Sequence, residues 1–190
     1  MIVWAATRTL PASPQEQRDA ASRLLARGLE AAFGVRPAEL AFERNAFGKP
    51  RLIGRRGVHF SVAHCPDAVA VVVGDVPVGV DIERIRRRDP YAAARCLDPA
   101  EIGRVEAASE PDREFFRYWT LKESYVKALG CGLVYPVRKA RFEVTDAGEV
   151  ACDRPNATFR LVEDQPGVIL ALCWLGRPWA IVPEFVSGQW

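Results

Sequence analysis

The sequence predicts an α+β fold of two similar lobes, each an antiparallel-type sheet packed on a long helix. Three observations predict it. Two long helical segments carry start and stop signals, apolar strand-like runs follow each of them, and 190 residues at 49% hydrophobic content are enough for two small cores.

The elements follow in order. The apolar opening at 2–5 reads as a strand, and Ser13-Pro14-Gln15-Glu16 supplies an N-cap, a first-turn proline and a capping-box glutamate. The helix so begun closes at Gly34, and strands are expected at 40–43 and 58–63. Residues 68–73, joined through Gly74-Asp75 to 78–82, read as a hairpin, with Pro77 marking the start of its second strand. Asp98-Pro99-Ala100-Glu101 repeats the cap logic, and Ser109, Pro111 and Asp112 open a longer helix ending near Gly130. Strands resume at 140–144, 157–162, 168–174 and 180–182. Helix then sheet, twice, places a first lobe at 1–90, a second at 98–190 and a junction at 91–97, although no residue-level repeat is visible.

Composition excludes several classes of function. Lys and Arg total 26 against 24 Asp and Glu, so no basic footprint for nucleic acid stands out. The five cysteines are widely spaced and form no Cys-x-x-Cys pair, as expected of buried thiols in a reducing cytosol. No stretch offers the roughly 18 apolar residues of a membrane span, and the first residues lack a basic leader. The expectation is a cytoplasmic, unprocessed chain with no membrane or nucleic-acid partner.

Three constellations carry chemistry. In Gly79-Val80-Asp81-Ile82-Glu83 the strand period of two puts both carboxylates on one face. Such a pair can hold a hard cation such as magnesium, which prefers oxygen ligands; the competing reading is a solvent face whose acids pair with the arginines that follow. On the long helix, Phe115, Trp119, Val126 and Leu129 form an apolar stripe into which Lys122 and Glu123 intrude, with Lys127 one turn after Glu123. A surface Glu123–Lys127 pair and a snorkelling Lys122 would also explain these charges. Three clustered anions, however, repel unless a cation sits among them, so Asp81, Glu83 and Glu123 together predict a metal. The third constellation, Gly48-Lys49-Pro50 followed by Phe60-Ser61-Val62-Ala63-His64, offers a glycine turn, a lysine and a histidine suited to phosphate, each weak alone.

In this order the motifs Gly48-Lys49-Pro50, Gly79 to Glu83 and Trp119-Thr120-Leu121-Lys122-Glu123-Ser124-Tyr125-Val126-Lys127 resemble the 4'-phosphopantetheinyl transferases of the surfactin-synthetase-activating type, over roughly residues 40–130. The resemblance implies a monomeric pseudo-dimer of two α+β lobes with coenzyme A in the cleft between them and Mg2+, or alternatively Mn2+, on its pyrophosphate. It implies that Asp81, Glu83 and Glu123 are the metal-binding acids. Glu123 also matches the residue that takes the proton of the carrier serine. Lys127 matches the lysine near the pyrophosphate and Lys122 a neighbouring support. Lys49, with Pro50 beside it, and His64 match groups at the nucleotide end, His64 at the 3'-phosphate. Arg18 and Arg23 on the first helix are candidates for the same phosphate. The chain departs from the family at Ser61, often Asn, and at Ala63 and Cys65, often Ser.

The partner so implied is an apo acyl or peptidyl carrier protein, which the run Arg84, Arg86, Arg87 and Arg88 could meet; a solvated basic loop is the other reading. Two rival functions use the same residues. One is a metal-dependent nuclease or phosphohydrolase, and the other is a silent binding module for coenzyme A or a carrier.

Overall fold

The structure is a computed structural model that describes residues 2–7, 12–176 and 184–185. The first unit runs β1 (Ile2–Thr7), α1 (Pro14–Phe33), a short ribbon β2 (Phe42–Arg44) and β3 (Pro50–Leu52), then β4 (His59–Cys65) and β5 (Ala68–Gly74). The second runs β6 (Val78–Arg84), α2 (Pro90–Cys96), α3 (Pro99–Ala107), α4 (Pro111–Leu129), a ribbon β7 (Phe142–Val144) and β8 (Val150–Cys152), then β9 (Ala157–Val162) and β10 (Val168–Leu175). A two-residue strand, β11 (Glu184–Phe185), lies parallel to β1.

Strand pairing reveals the duplication that residue identities conceal. In the first sheet β5 lies between β1 and β4, all antiparallel, and in the second β10 lies between β6 and β9 in the same manner. Each unit therefore reads strand, long helix, ribbon, strand, strand, with α2 and α3 added before the long helix of the second. Val78–Arg84 pairs with the second unit, although the sequence expectation placed it in a first lobe of residues 1–90.

The same pairing corrects the expected hairpin of 68–73 with 78–82. Both edges of β5 are taken by β1 and β4, so β6 turns away and finds β10 instead. The hairpin of the first unit is β4–β5, turned at Pro66-Asp67. The expected strand at 180–182 lies outside the described residues. The helices begin as anticipated: Ser13 and Glu16 close a capping box on α1, Asp98 and Glu101 close one on α3, and Gly34 caps α1 in the left-handed conformation. Helix α4 is capped at Glu110 rather than Ser109, with Pro111 in its first turn.

Two helices cover the outer faces and one core lies between the sheets. Leu25 and Leu29 of α1 pack with Phe60, Val71 and Val73. Val78, Val80 and Ile82 of β6 join Ala63, Ala70, Val72, Leu170 and Leu172 in the layer that both sheets share. Alternation then points Gly79, Asp81 and Glu83 the other way, toward α4. Of the described residues, no helix is long and apolar enough to cross a membrane.

Helix α4 is buried almost all round rather than along the narrow stripe expected. Phe115, Phe116, Tyr118, Leu121, Tyr125 and Val126 are buried while Leu129 is exposed, because β6 and β10 cover one side and α3 with the 137–140 segment covers another. Gly79 sets how closely the helix lies on β6. A Cβ at that position would stand 1.9 Å from the Ser124 carbonyl oxygen and 2.5 Å from the Ala128 amide nitrogen. Only glycine lets backbone meet backbone there.

Candidate active site

The close seating of α4 on β6 brings the expected acids and one lysine together. Trp119, Glu123 and Lys127 lie one turn apart along a single ridge of α4, running beside Glu83 and Asp81 of β6. At one end the Trp119 indole donates from Nε1 to Glu83 Oε1 at 3.1 Å. At the other, Lys127 Nζ donates to Asp81 Oδ1 at 2.7 Å. Glu123 stands between them on the ridge.

The electrostatics of this group are set by burial and mutual repulsion. Burial is the main cause that raises the Asp81 carboxyl above its usual range; Lys127 acts against it, and Glu83 adds to it. The Glu123 carboxyl is also raised, first by burial, then by the negative charge of Asp81, with Glu83 contributing in the same sense. Loss of water leads both shifts; at Asp81 the attraction of Lys127 outweighs the repulsion from Glu83, and at Glu123 the repulsion from Asp81 outweighs the attraction of Lys127.

The remaining donors and acceptors complete the picture. The outer oxygen of Glu83 takes Arg86 Nη1 at 2.7 Å. Asp81 Oδ2 is buried and has no hydrogen-bond partner. Among the described residues, no three His, Cys, Asp or Glu side chains stand close enough to hold an ion as they are arranged, so the expected convergence is met in charge but not as a closed cage. Lys127 occupies one oxygen of Asp81, and Trp119 and Arg86 occupy the two of Glu83. The donor set nevertheless suits a hard divalent cation: all carboxylate oxygen, with one buried acceptor lacking a donor.

Two grooves flank the ridge. One of about 240 Å³ is lined by Gly48, Lys49, Pro50, Ser61, Val62 and Lys127, where the two units meet. Another of about 540 Å³, on the far side, is lined by Trp119, Glu123 and Val126 with Tyr91, Tyr135 and Pro136.

Other expected site residues fall elsewhere. Lys122, read as a catalytic support, is 2% exposed and points into the core. Its ammonium lies 2.9 Å from Glu101 Oε2 and donates to the Ala140 carbonyl at 2.6 Å and the Val137 carbonyl at 3.3 Å, so it secures α4 to its neighbours and has no hydrogen to spare for a ligand. Glu101 is the residue the sequence reading missed in this role. Its capping-box position was legible, but its second oxygen also accepts from the Phe142 amide at 3.0 Å, a partner 41 positions away.

Lys49 likewise does not reach into the groove as a free cation. Its ammonium donates to the carbonyls of Lys127 at 2.5 Å, Val78 at 3.0 Å and Ala128 at 3.3 Å. Burial pulls its pKa down to about 8. Pro50 lines the groove beside it. His64 is exposed at the end of β4; burial of its ring lowers its pKa first, then the positive charges of Lys127 and Arg18, which places all three in one neighbourhood. Arg18 is held by Gln15 at 2.8 Å on the flank of α1. Arg23 is exposed, and the helical period turns it away from the buried face of α1, opposite the sheet. The positions of family departure face the core: Ser61 Oγ accepts from the Val80 amide at 3.2 Å, and Ala63 and Cys65 are buried in the layer shared by the sheets.

The basic run after β6 is largely spoken for. Arg84 pairs with Asp67, Arg86 with Glu83, and Arg88 with Asp112 at 2.8 Å.

Carboxylates face a lysine beside a groove at the seam of two repeated α+β units. The chain belongs to the 4'-phosphopantetheinyl transferase superfamily, whose family profile matches residues 77–173. A 4'-phosphopantetheinyl transferase of Bacillus subtilis is 29% identical over 164 residues, covering 83% of this chain and 70% of that protein. An L-aminoadipate-semialdehyde dehydrogenase-phosphopantetheinyl transferase of Eremothecium gossypii is 36% identical over 167 residues, covering 76% of this chain and 58% of that protein. A crystal structure of the holo-acyl-carrier-protein synthase AcpS of Neisseria meningitidis is similar over 53% of this chain and 98% of that chain, with 19% identity and a TM-score of 0.46. The chain spans less than two thirds of the length of several other curated relatives, 41% in one case.

Proposed function

We propose that the chain transfers the 4'-phosphopantetheine group of coenzyme A to a serine of an apo acyl or peptidyl carrier protein and releases 3',5'-ADP. The observation that carries this reading is the buried Asp81, paired with Lys127 on one oxygen and open on the other, beside a Glu123 whose carboxyl is raised. A site with surplus buried negative charge at a groove between repeats is suited to a diphosphate brought in with a divalent cation.

Asp81, Glu83 and Glu123 would hold Mg2+ or Mn2+, whose positive charge, when bound, would offset charge developing on the diphosphate oxygens. The serine Oγ forms a bond to the phosphorus that bears the pantetheine arm, and the bond from that phosphorus to the oxygen of 3',5'-ADP breaks. Glu123 accepts the serine proton, and its raised carboxyl makes it a better base than an ordinary glutamate. Lys127 donates to the departing diphosphate oxygen, exchanging Asp81 for it. Pro50 and Val62 form the wall along which the nucleotide lies, with His64 and Arg18 toward its 3'-phosphate.

The carrier protein is met by the face around Arg87, since its three neighbouring arginines are engaged within the chain. The reaction belongs in the cytoplasm, where coenzyme A and reduced cysteines are found, and a single chain with two units suffices for it. The relatives lend nothing to a nuclease or phosphohydrolase. Incubation with coenzyme A, magnesium and a panel of apo-carrier proteins tests the reading by the mass each carrier gains; release of nucleotide in the absence of any carrier would favour hydrolysis instead.

A further inference from the structure

We infer that Asn45 and Lys49 form a clasp that positions Lys127 against Asp81, so that Lys49 serves the reaction as a positioning residue and not as a ligand of the nucleotide. This rests on the transferase reading for its kinetic consequence, though the clasp itself is a matter of geometry.

The turn between β2 and β3 is folded around Asn45, whose Oδ1 accepts from the amides of Phe47 and Lys49, both at 2.9 Å. Its Nδ2 then donates to the Gly130 carbonyl at 2.8 Å, beyond the end of α4. From the same turn Lys49 Nζ reaches two carbonyls of the last helical turn, Lys127 and Ala128, and the Val78 carbonyl at the start of β6. One ammonium thus ties the strand that carries Asp81 to the turn that carries Lys127. A cation on the unsatisfied carbonyls at a helix C-terminus is also where the helix dipole favours it.

The helix end is shaped to receive this side chain. Gly130 takes φ of 68°, and a Cβ there would stand 2.8 Å from Lys49 Cδ. The clasp comes wholly from the first unit and its acceptors wholly from the second, so it fixes the two units where the groove runs between them.

The test is a double-mutant cycle on Lys49→Met and Lys127→Met, reading kcat and KM for coenzyme A with a responsive apo-carrier, calorimetric binding of coenzyme A, and hydrogen exchange of the amides at 126–130. The clasp predicts that Lys49→Met lowers kcat at least tenfold with coenzyme A affinity within about twofold of the parent. It also predicts that Lys49→Met costs less than threefold once Lys127 is already Met, and that the amides at 126–130 exchange faster. A tenfold loss of coenzyme A affinity at unchanged kcat would make Lys49 a nucleotide ligand and overturn the proposal. Additive losses in the double variant would also overturn it. Hydrogen exchange needs no turnover, so unchanged protection at 126–130 sinks the clasp even if no carrier is modified, while failure of the parent chain to transfer counts against the function alone.

Discussion

Asp81 holds Lys127 at 2.7 Å with one carboxylate oxygen and keeps the other buried without a donor. A buried carboxylate half satisfied in this way is a cost to the fold, since its charged form has lost water and regained one partner. The folded state therefore binds the Asp81 proton more tightly than the unfolded chain does. Between the ordinary value of 3.8 and the raised folded value, stability falls as pH rises.

The Asp81→Asn variant should accordingly melt at the same temperature as the parent or higher at pH 7, while phosphopantetheine transfer falls by two or more powers of ten. Thermal denaturation and the carrier mass assay, run on one preparation, check both halves. A variant that loses stability in step with activity would make Asp81 structural.

With Glu123 as the proposed base, the reaction takes its pH dependence from this carboxyl. It is raised above 4.5, chiefly by burial and then by Asp81, so the ionised base is lost at a higher pH than an ordinary glutamate would allow. The acid limb of kcat/KM should lie above pH 4.5, and Glu123→Gln should leave a residual rate without that limb. Steady-state rates across pH 4 to 8 measure it.

Gly79 is the packing test. A methyl group at this position would meet the Ser124 carbonyl and the Ala128 amide, both backbone, neither able to swing aside. Gly79→Ala should lose about 3 kcal/mol or more, at the upper end of what overpacking costs, and urea denaturation reads this directly. Activity should fall with it, because the same displacement carries Glu123 and Lys127 away from β6.

Lys122 and Glu101 form a buried pair, each 2% exposed in its side chain. Removing the lysine alone leaves a buried carboxylate whose charge is uncompensated, so Lys122→Met should cost about 3–5 kcal/mol. The double variant Lys122→Met, Glu101→Gln should recover part of that loss, because no uncompensated charge remains, while Gln can accept from only one of the two amides, Asp98 and Phe142, that meet separate oxygens of Glu101. Denaturant midpoints for the three variants decide the matter.

Local signals are legible in the sequence because local chemistry fixes them. The caps of α1 and α3, the glycine ends of α1 and α4, and the strand at Ala157–Val162 fall where capping residues and alternation put them. The face of β6 that carries Asp81 and Glu83 was legible for the same reason, since a period of two leaves no other choice. Strand partners were not legible, because Gly74-Asp75 looks like a hairpin turn until β1 is known to occupy the edge of β5. The partners of Lys122 and Lys49 were not legible for a related reason. Both look like free cations in the sequence, and only distant carbonyls and Glu101 reveal that their charges are already engaged.

The most direct measurement of the account is stoichiometric: the 3',5'-ADP released and the carrier serine modified, counted together in one reaction with coenzyme A and magnesium. The account predicts one nucleotide for each phosphopantetheine gained by the carrier, and none when the carrier is left out. Nucleotide released without carrier, or a carrier unchanged across fatty-acid, polyketide and nonribosomal-peptide types, would contradict it.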